Sequence, residues 1–299
     1  MKPDDLKITT THDGISITGI KDFDPVHTFD SGQCFRWLRQ PDGSYIGVAG
    51  ERSAQVLMTH DGKLVMSGVS EQDFRDFWFE YFDLGRDYAE IKSELAAKDR
   101  HMRDAVEFGS GLRLLKQDLW EVLISFIISS NNRIPRIMRS VEALSREFGR
   151  EIPGAVSEGL FSFPRPHDLA DEDEHTINIC KGGFRCKYID KTVKMTLSGD
   201  FDTTRVAGMC PSDARSELMR LPGVGPKVAD CVLLFSGTCR DVFPTDVWVK
   251  RIMEHLYLGK DRKLSEIQDF ASGYFGENRG IAQEYLFYYA RYNREKLGI

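Results

Sequence analysis

The sequence predicts an α+β protein, with an N-terminal antiparallel β-sheet domain followed by an all-α domain. Up to about residue 70, alternating or β-branched runs are separated by Asp-Gly steps, which favour tight turns between strands. From about residue 100, apolar residues recur every three to four positions, as on one face of a helix. A chain of 299 residues can hold two domains. We expect them to span residues 1–105 and 106–299.

Three Asp-Gly steps divide the predicted sheet, at residues 13–14, 42–43 and 61–62. The segments between them include Tyr45–Val48 and Val56–Met58, which are rich in residues that favour strands. Short strands joined by two-residue turns pair with their neighbours in the chain. The pattern therefore predicts an antiparallel meander.

The remaining chain reads as helical. The aromatic run Phe74–Phe82 has helical rather than alternating character, and we expect its rings to pack under the sheet as core. Apolar residues follow helical spacing in residues 119–127 and again in residues 137–148, where the pattern stops at Gly149. The acidic, Pro-containing segment 152–174 is expected to be a connector.

Composition limits the function classes. With 41% hydrophobic and 29% charged residues, the chain is typical of globular proteins. Neither a long apolar run nor an apolar leader is present, so we expect an intracellular protein without a membrane partner. The net charge of −6 argues against a nonspecific DNA coat. A site-specific DNA enzyme stays open, because helix N-termini can bind phosphates without basic side chains.

A glycine-rich turn precedes a predicted helix near the C-terminal third of the chain. Gly223 and Gly225 flank Val224, and Pro226 is suited to the first helical position. Backbone N–H groups of such a turn and of the helix N-terminus can hold a DNA phosphate without reading a base. We expect Ser212 to cap the preceding helix and the second helix to run from Pro226 to about Ser236.

Lys227 and Asp246 supply an amine and a carboxylate near this turn. An amine that attacks a sugar carbon forms a Schiff base, after which the sugar–phosphate strand can be eliminated. A carboxylate can stabilise the positive charge that grows on the sugar as the base departs, or manage protons. Alternatively, the Gly-x-Gly is an ordinary loop and Asp246 a helix cap. A nucleotide-binding P-loop is excluded, because Val228 follows the lysine where Ser or Thr is required.

The whole run LPGVGPKVADC, at residues 221–231, with PTDV at 244–247, resembles the helix-hairpin-helix DNA glycosylases. The lysine resembles the bifunctional members, and KVADC resembles the 8-oxoguanine DNA glycosylase branch. Further segments resemble family motifs in the same order along the chain, at residues 31–37, 126–132, 183–188 and 280–287. The resemblance implies a monomeric 8-oxoguanine glycosylase and abasic-site lyase of base excision repair. It would act on double-stranded DNA that carries the oxidised guanine opposite cytosine.

The resemblance implies a base pocket of four residues. The oxidised base carries a hydrogen on N7 that guanine lacks, so a buried carbonyl at Gly32 would pair with the lesion and repel guanine. Gln283 would bind the Watson–Crick edge, and Phe287, on the same helix face, would stack on the base. Cys231 would lie against the base and Lys227, where its charge state could sort guanine from the lesion. The alternatives are a turn glycine, a core phenylalanine and a small buried thiol.

The resemblance also implies how the gap left by the extracted base is treated. Phe184 would wedge into the stack, while Asn131, Arg136 and Arg185 would fill the gap and donate to the unpaired cytosine. Without the family pattern these arginines would be assigned to the surface.

Two residues depart from the family pattern. Trp248 stands where many members have a histidine, which puts the expected phosphate contact there in doubt. Arg133 replaces a third asparagine, so the stringency toward the opposite base could differ.

No resident cofactor is expected. None of the six cysteines forms a C-x-x-C pair, and none follows Asp246, where related glycosylases keep the cysteines of an iron–sulfur cluster. We therefore expect reduced thiols, no cluster and no zinc, with a monovalent or divalent cation at the hairpin backbone as the one candidate ion.

Two other functions remain. One is a superfamily glycosylase for alkylated purines, against which Lys227 argues. The other is a non-catalytic hairpin module, which needs Gly223 and Gly225 but neither Lys227 nor Asp246.

Overall fold

A computed structural model describes residues 2–299. The N-terminal part forms one antiparallel sheet in the spatial order β1-β2-β6-β5-β4-β3. Its strands are β1 Lys7–Thr10, β2 Gly14–Thr18, β3 Trp37–Arg39, β4 Tyr45–Ala49, β5 Arg52–Met58 and β6 Leu64–Ser67. The predicted sheet is confirmed. Because β2 pairs with β6 rather than with β3, the meander runs from β3 to β6 and the first hairpin joins it at the β6 edge.

The three Asp-Gly steps lie at strand turns, as predicted. Gly43 and Gly62 have φ angles of +88° and +77°, which fit glycine because it has no Cβ. Alternate residues of β2 and β6, such as Ile15 and Leu64, are buried on one face. That face packs on the aromatic run.

The helices occupy most of the chain after the sheet. They are α1 Pro25–Phe29, α2 Glu71–Asp73, α3 Phe79–Tyr81, α4 Tyr88–Ala96, α5 Arg100–Phe108, α6 Leu119–Ser129, α7 Ile134–Phe148, α8 Glu174–Ile177, α9 Arg185–Leu197, α10 Thr203–Ala207, α11 Pro211–Leu218, α12 Pro226–Phe235, α13 Val247–Met253, α14 Leu264–Phe275, α15 Arg279–Tyr292 and α16 Arg294–Leu297. Single π turns cover Phe74–Trp78 and Glu254–Leu258, and 3₁₀ turns cover Pro3–Asp5, Pro166–Leu169, Asn178–Cys180 and Gly276–Asn278.

The aromatic run is core, as predicted. Phe74, Trp78 and Phe82 are essentially inaccessible to solvent. Trp78 packs edge-on against Trp37 of β3, and the Trp37 indole N–H donates to the Tyr81 hydroxyl over 2.9 Å. The π turn and α3 thus cover the buried face of the sheet.

Helix α6 lies at the centre of the helical part. All but two of its residues are buried, because α7, α9 and α12 pack around it. Such all-round burial explains its almost continuous apolar sequence. Helix α7 ends at Phe148 with Gly149 as its C-cap, as predicted, and α12 ends one residue before Ser236.

Arg113 ties the two parts together. Its guanidinium is buried, donates to the carbonyls of Lys21, Asp22, Asp83 and Arg86, and stacks on the Tyr88 ring at 4.4 Å. Burial lowers the pKa of this guanidinium. The four carbonyl dipoles offset part of the cost of burying its charge.

Two of the expectations from the sequence differ from the structure. Ser212 does not cap α11, because Pro211 occupies the first helical position and Cys210 the cap. Helices begin earlier than residue 100: Tyr88, Ile91 and Leu95 of α4 belong to the helical core.

The domain division at residue 105 stays a prediction. Among the helices of residues 2–299, none has the length and apolar character needed to cross a membrane.

Candidate active site

The structure brings six predicted residues to one cavity of about 370 Å³ between the sheet part and the helical part. The cavity is lined by the two reaction candidates and the four base-pocket candidates, namely Lys227, Asp246, Gly32, Cys231, Gln283 and Phe287. They come from four different segments of the chain. The cavity therefore exists only in the folded protein.

The hairpin turn sets the position of Lys227. Gly223 has a φ of +80°, and a Cβ there would meet the Tyr188 ring at 2.4 Å, so only glycine fits. Val224 buries its side chain and donates its N–H to the Leu221 carbonyl over 3.1 Å. A Cβ on Gly225 would meet open space. The backbone at Gly225 is therefore open, and the first N–H groups of α12, which lack intrahelical partners, are available as anion-binding donors.

Lys227 lies at the second position of α12, after Pro226. Its Nζ is 5.1 Å from the centroid of the Phe126 ring. Across the described chain, no carboxylate lies within ion-pair distance of this amine. Lys227 therefore projects its amine over an aromatic surface without a carboxylate partner.

Asp246 caps α13 and also lines the cavity. Its carboxylate accepts from the Val249 N–H over 2.7 Å, and the side chain stands at the helix N-terminus. The helix dipole favours a negative charge there. The cap suggested as an alternative role is present, and it holds the carboxylate in place at the cavity.

Gly32 is held by its neighbour Gln33. The buried Gln33 amide donates to the carbonyls of Thr28 and Arg113 over 3.0 and 2.8 Å and accepts from the Leu115 N–H over 2.7 Å. Gly32 itself has a φ of +105°, and a Cβ there would lie 3.4 Å from the Phe287 ring. The backbone at Gly32 is thus fixed close to that ring.

Helix α15 presents the other base-pocket candidates. Gln283 is 4% exposed, and its Oε1 has no hydrogen-bond partner among residues 2–299. Phe287 is half-buried at the cavity, whereas Tyr285, Leu286 and Tyr288 around it are core. An unpartnered amide oxygen and an accessible ring suit a ligand rather than a finished core.

Cys231 follows Lys227 by one helical turn. Burial raises the pKa of its thiol to about 12, and the nearby Lys227 amine offsets only part of that shift. The thiol is therefore neutral in the free protein at physiological pH.

Sequence reasoning missed several cavity residues. Phe126 stacks on Phe235 at 5.3 Å and contacts Phe35 at 5.5 Å, forming an aromatic floor under Lys227. Glu284 is a buried carboxyl whose pKa burial raises to about 7, and Arg291 stands on the same helix. The aromatic residues look like core in the sequence. For Glu284 the sequence held a signal, namely a carboxyl residue within a predominantly apolar helix segment.

The four opposite-base candidates lie outside the cavity, on its neighbouring face. Asn131 has a φ of +50°, a left-handed conformation that asparagine tolerates. The Phe184 ring is 62% exposed at a loop tip. Arg136 is exposed and donates to the Lys181 carbonyl over 3.2 Å.

Arg185 differs from a surface arginine. It is 7% exposed, stacks on Phe184 at 4.5 Å and donates to the carbonyls of Ser130, Asn131 and Gly182. Four of the five guanidinium N–H groups are used in this way. Arg185 therefore joins the Phe184 loop to the Asn131 loop, and one N–H takes no part in these bonds.

Both departures from the family pattern face the cavity. Trp248 lines it with an indole N–H that is buried without a partner in the described residues, and Arg294 lies 4.4 Å over its ring. Arg133 also lines the cavity and begins α7 as its cap residue. Among the described residues, neither Trp248 nor Arg133 makes a hydrogen bond or ion pair with the turn that carries Lys227.

A cation at the hairpin would have to be bound by main-chain carbonyls. Within residues 2–299, no group of three or more His, Cys, Asp or Glu side chains could hold a metal. The turn from Leu221 to Gly225 offers carbonyl oxygens, and the backbone at Gly225 borders open space. The cation stays a prediction.

Comparisons with known proteins agree with this architecture. The family model of the 8-oxoguanine DNA glycosylase N-terminal domain matches residues 16–123, and that of the HhH-GPD superfamily base excision DNA repair proteins matches residues 124–272. A probable N-glycosylase/DNA lyase of Methanothermobacter thermautotrophicus is 34% identical over 75% of this chain and 77% of its own.

Two solved structures are similar over almost the whole chain. MBOgg1 in complex with a low-affinity DNA ligand has 45% identity and a TM-score of 0.91, covering 96% of this chain and 98% of its own. The Clostridium acetobutylicum 8-oxoguanine glycosylase/lyase, solved with double-stranded DNA containing cytosine opposite 8-oxoguanine, has 40% identity, a TM-score of 0.91 and the same coverage. With both domain families and the lysine–aspartate cavity in place, the chain belongs to the 8-oxoguanine DNA glycosylase/lyase family.

Proposed function

We propose that this protein excises 8-oxoguanine opposite cytosine in double-stranded DNA and then cleaves the strand at the abasic site. The observation that carries the proposal is the cavity that Lys227 and Asp246 share with the base-pocket candidates in a chain of this family. Such a protein works inside the cell, where its DNA substrate is.

The reaction follows from the position of the amine. The lone pair of Lys227 Nζ forms a bond to C1′ of the sugar while the bond from C1′ to N9 of the base breaks, and the base leaves with its electrons. Opening of the sugar ring gives a Schiff base between Lys227 and C1′. Loss of a proton from C2′ then expels the 3′ phosphate, which cleaves the strand. Water releases the lysine.

Asp246 supports the first step. Positive charge grows on the sugar as the base departs, and the carboxylate held at the α13 cap lies in the same cavity. Because its place is fixed by the Val249 N–H, little reorganisation is needed when the charge develops.

Base selection rests on the fixed backbone at Gly32. Its carbonyl would accept from N7–H of the lesion, whereas guanine would bring two acceptors together, a difference of about 1–3 kcal/mol. The free Gln283 Oε1 would accept from the Watson–Crick edge, and Phe287 would stack on the ring. A neutral Cys231 would contribute packing rather than charge in the free enzyme.

The neighbouring face would treat the second strand. The exposed Phe184 ring is suited to entering the base stack, and Asn131 would fill the gap. Arg136 and the remaining N–H of Arg185 would donate to the two acceptors of cytosine. The outward donors of Gly225 and the α12 N-terminus would hold a phosphate.

Borohydride trapping tests the proposal. The wild type should become covalently linked to duplex DNA with 8-oxoguanine opposite cytosine, and Lys227→Gln should lose both trapping and strand cleavage while still binding the duplex. Lys250→Gln is the matched control, because it removes one positive charge from α13 without touching the cavity. Equal trapping of Lys227→Gln and the wild type would refute the role of Lys227.

A substrate panel separates the rival glycosylase. We expect efficient excision opposite cytosine, weaker excision opposite adenine and little action on uracil or 3-methyladenine. If 3-methyladenine were the best substrate, the assignment of Gly32, Gln283 and Phe287 would be wrong even with Lys227 catalytic.

A further inference from the structure

Two buried cysteines face each other beneath the loop that carries Phe184. Cys180 ends the 3₁₀ turn Asn178–Cys180, and Cys186 lies in the first turn of α9. Their Sγ atoms are 3.9 Å apart, and each residue is 2% exposed. None of the roles proposed above uses either thiol.

The backbone between them brings the sulfurs together. A Cβ on Gly182 would lie 2.9 Å from the Cys186 Sγ and 3.1 Å from the Cys180 Sγ, so the space over both sulfurs is free only because residue 182 is glycine. Lys181 and Gly183 both have positive φ angles, of 54° and 61°. This tight reversal returns the chain on itself and sets the two thiols in contact.

The loop between the thiols also carries the DNA-facing contacts. The Lys181 carbonyl accepts from Arg136, and the Gly182 carbonyl accepts from Arg185. The sulfurs of a disulfide are about 2.05 Å apart, so bonding would draw them together by roughly 2 Å. Movement on that scale beneath the loop would displace both carbonyls and the Phe184 ring.

We propose that Cys180 and Cys186 form a reversible disulfide under hydroperoxide, and that this bond withdraws the loop of residues 181–185 from DNA. The modification itself follows from the thiol geometry. Its effect on lesion recognition rests on the proposed function.

The oxidation is balanced with one hydroperoxide. The Cys186 thiolate attacks a peroxide oxygen, so that an S–O bond forms, the O–O bond breaks and hydroxide leaves to become water. The Cys180 sulfur then attacks the Cys186 sulfur, forming the S–S bond, while the sulfenic oxygen leaves as water with the Cys180 proton. Two thiols lose two electrons in total, and a dithiol reverses the reaction.

The order of attack follows from the pair's environment. The hydrogen bond between the thiols lowers the pKa of Cys186 and raises that of Cys180. Cys186 therefore provides the thiolate, and Cys180 is the resolving thiol.

The test uses the full-length protein carrying Cys210→Ser, which removes the one exposed thiol. After treatment with hydrogen peroxide, peptide mass mapping should find residues 180 and 186 joined, with the loss of two hydrogens and recovery by dithiothreitol. The same treatment of a Cys180→Ser derivative should give no such link. Reduced Cys180→Ser should keep the binding and excision of the parent, because Cys180 contacts no proposed DNA-binding atom.

Binding to the 8-oxoguanine:cytosine duplex is then compared before and after oxidation. We expect a loss of about tenfold or more, since the Phe184 ring and the Arg136 and Arg185 donors would no longer be positioned against the duplex. The Cys180→Ser derivative should show no such loss. Failure to form the bond, or a bond formed without weaker duplex binding, would overturn the proposal. If the bond forms but the reduced protein ignores 8-oxoguanine, the proposed function fails and the disulfide site stands.

Discussion

The base cavity and the opposite-base face are built in different ways. The cavity wall sits on buried elements: Gly32 is fixed by the Gln33 amide, and Cys231 and Gln283 lie on helices enclosed by core. The opposite-base face consists of two loops and the first turns of the helices that follow them, with Asn131 in a left-handed conformation and the Phe184 ring exposed. The difference indicates that the reacting sugar and base meet a preformed site, whereas the second strand meets loops that can adjust.

Arg185 is the point where the two regions meet. Its buried guanidinium crosslinks both loops through main-chain carbonyls, so the loops move together or not at all. Substitutions in the cavity wall and in the opposite-base face should therefore have separable effects.

The largest effect is expected at the wall, from Asp246→Asn. The amide removes transition-state charge stabilisation of roughly 3 kcal/mol, or about a hundredfold in the single-turnover excision rate. Asparagine still caps a helix, so α13 and the melting temperature should be nearly unchanged. Near-normal excision by this folded variant would reduce Asp246 to a cap.

A tenfold effect is expected at the loop face, from Arg185→Lys. Lysine cannot reproduce the planar fork that reaches three carbonyls, and a buried acceptor left unpaired costs about 1–3 kcal/mol. The preference for cytosine over adenine opposite the lesion should fall by about tenfold. Arg139→Lys is the control, because that exposed side chain on α7 also donates to one carbonyl and has no proposed role at the opposite base. An equal effect of the two substitutions would remove the crosslinking role.

Gly32→Ala tests whether the wall fixes base selection. Alanine at a φ of +105° strains the backbone by about 1–3 kcal/mol and approaches the Phe287 ring. Gly43→Ala carries similar strain at +88° in a turn with open space, so it is the matched control. Both variants should lose comparable stability in urea unfolding. The discrimination between 8-oxoguanine and guanine should fall only in Gly32→Ala. An unchanged ratio of the two excision rates would contradict the proposed role of the Gly32 carbonyl.

The last prediction concerns the charge of Cys231 and requires no substitution in the cavity. With a pKa of about 12, roughly one thiol in ten thousand is ionised at pH 8. Because the thiolate is the nucleophile, alkylation of Cys231 by iodoacetamide should accelerate by about tenfold per pH unit between pH 8 and 10. Alkylation of the exposed Cys210, measured in the same digest, is the control for the activity of the reagent. A rate that levels off near pH 8 would instead indicate a charged thiolate beside Lys227.

The sequence by itself determined the elements whose signals are local. Asp-Gly turns with alternating residues predicted the sheet, and apolar periodicity predicted α6 and α7. The hairpin with Lys227 could be recognised because glycine, proline and lysine occupy neighbouring positions in residues 223–227, and Asp246 follows in the same region of the chain. The predicted Ser212 cap was wrong although its signal is also local, because Pro211 occupies the first helical position.

Only the tertiary structure decided how these parts meet. Gln33 and Arg113 are 80 residues apart in the chain, and nothing in either neighbourhood indicates that they bond. The aromatic floor of Phe35, Phe126 and Phe235 reads as core until a cavity opens above it. Arg185 reads as a surface charge until carbonyls from another loop surround it. Periodicity records which face of an element is buried, whereas the partner of a buried polar group is fixed by packing between distant segments.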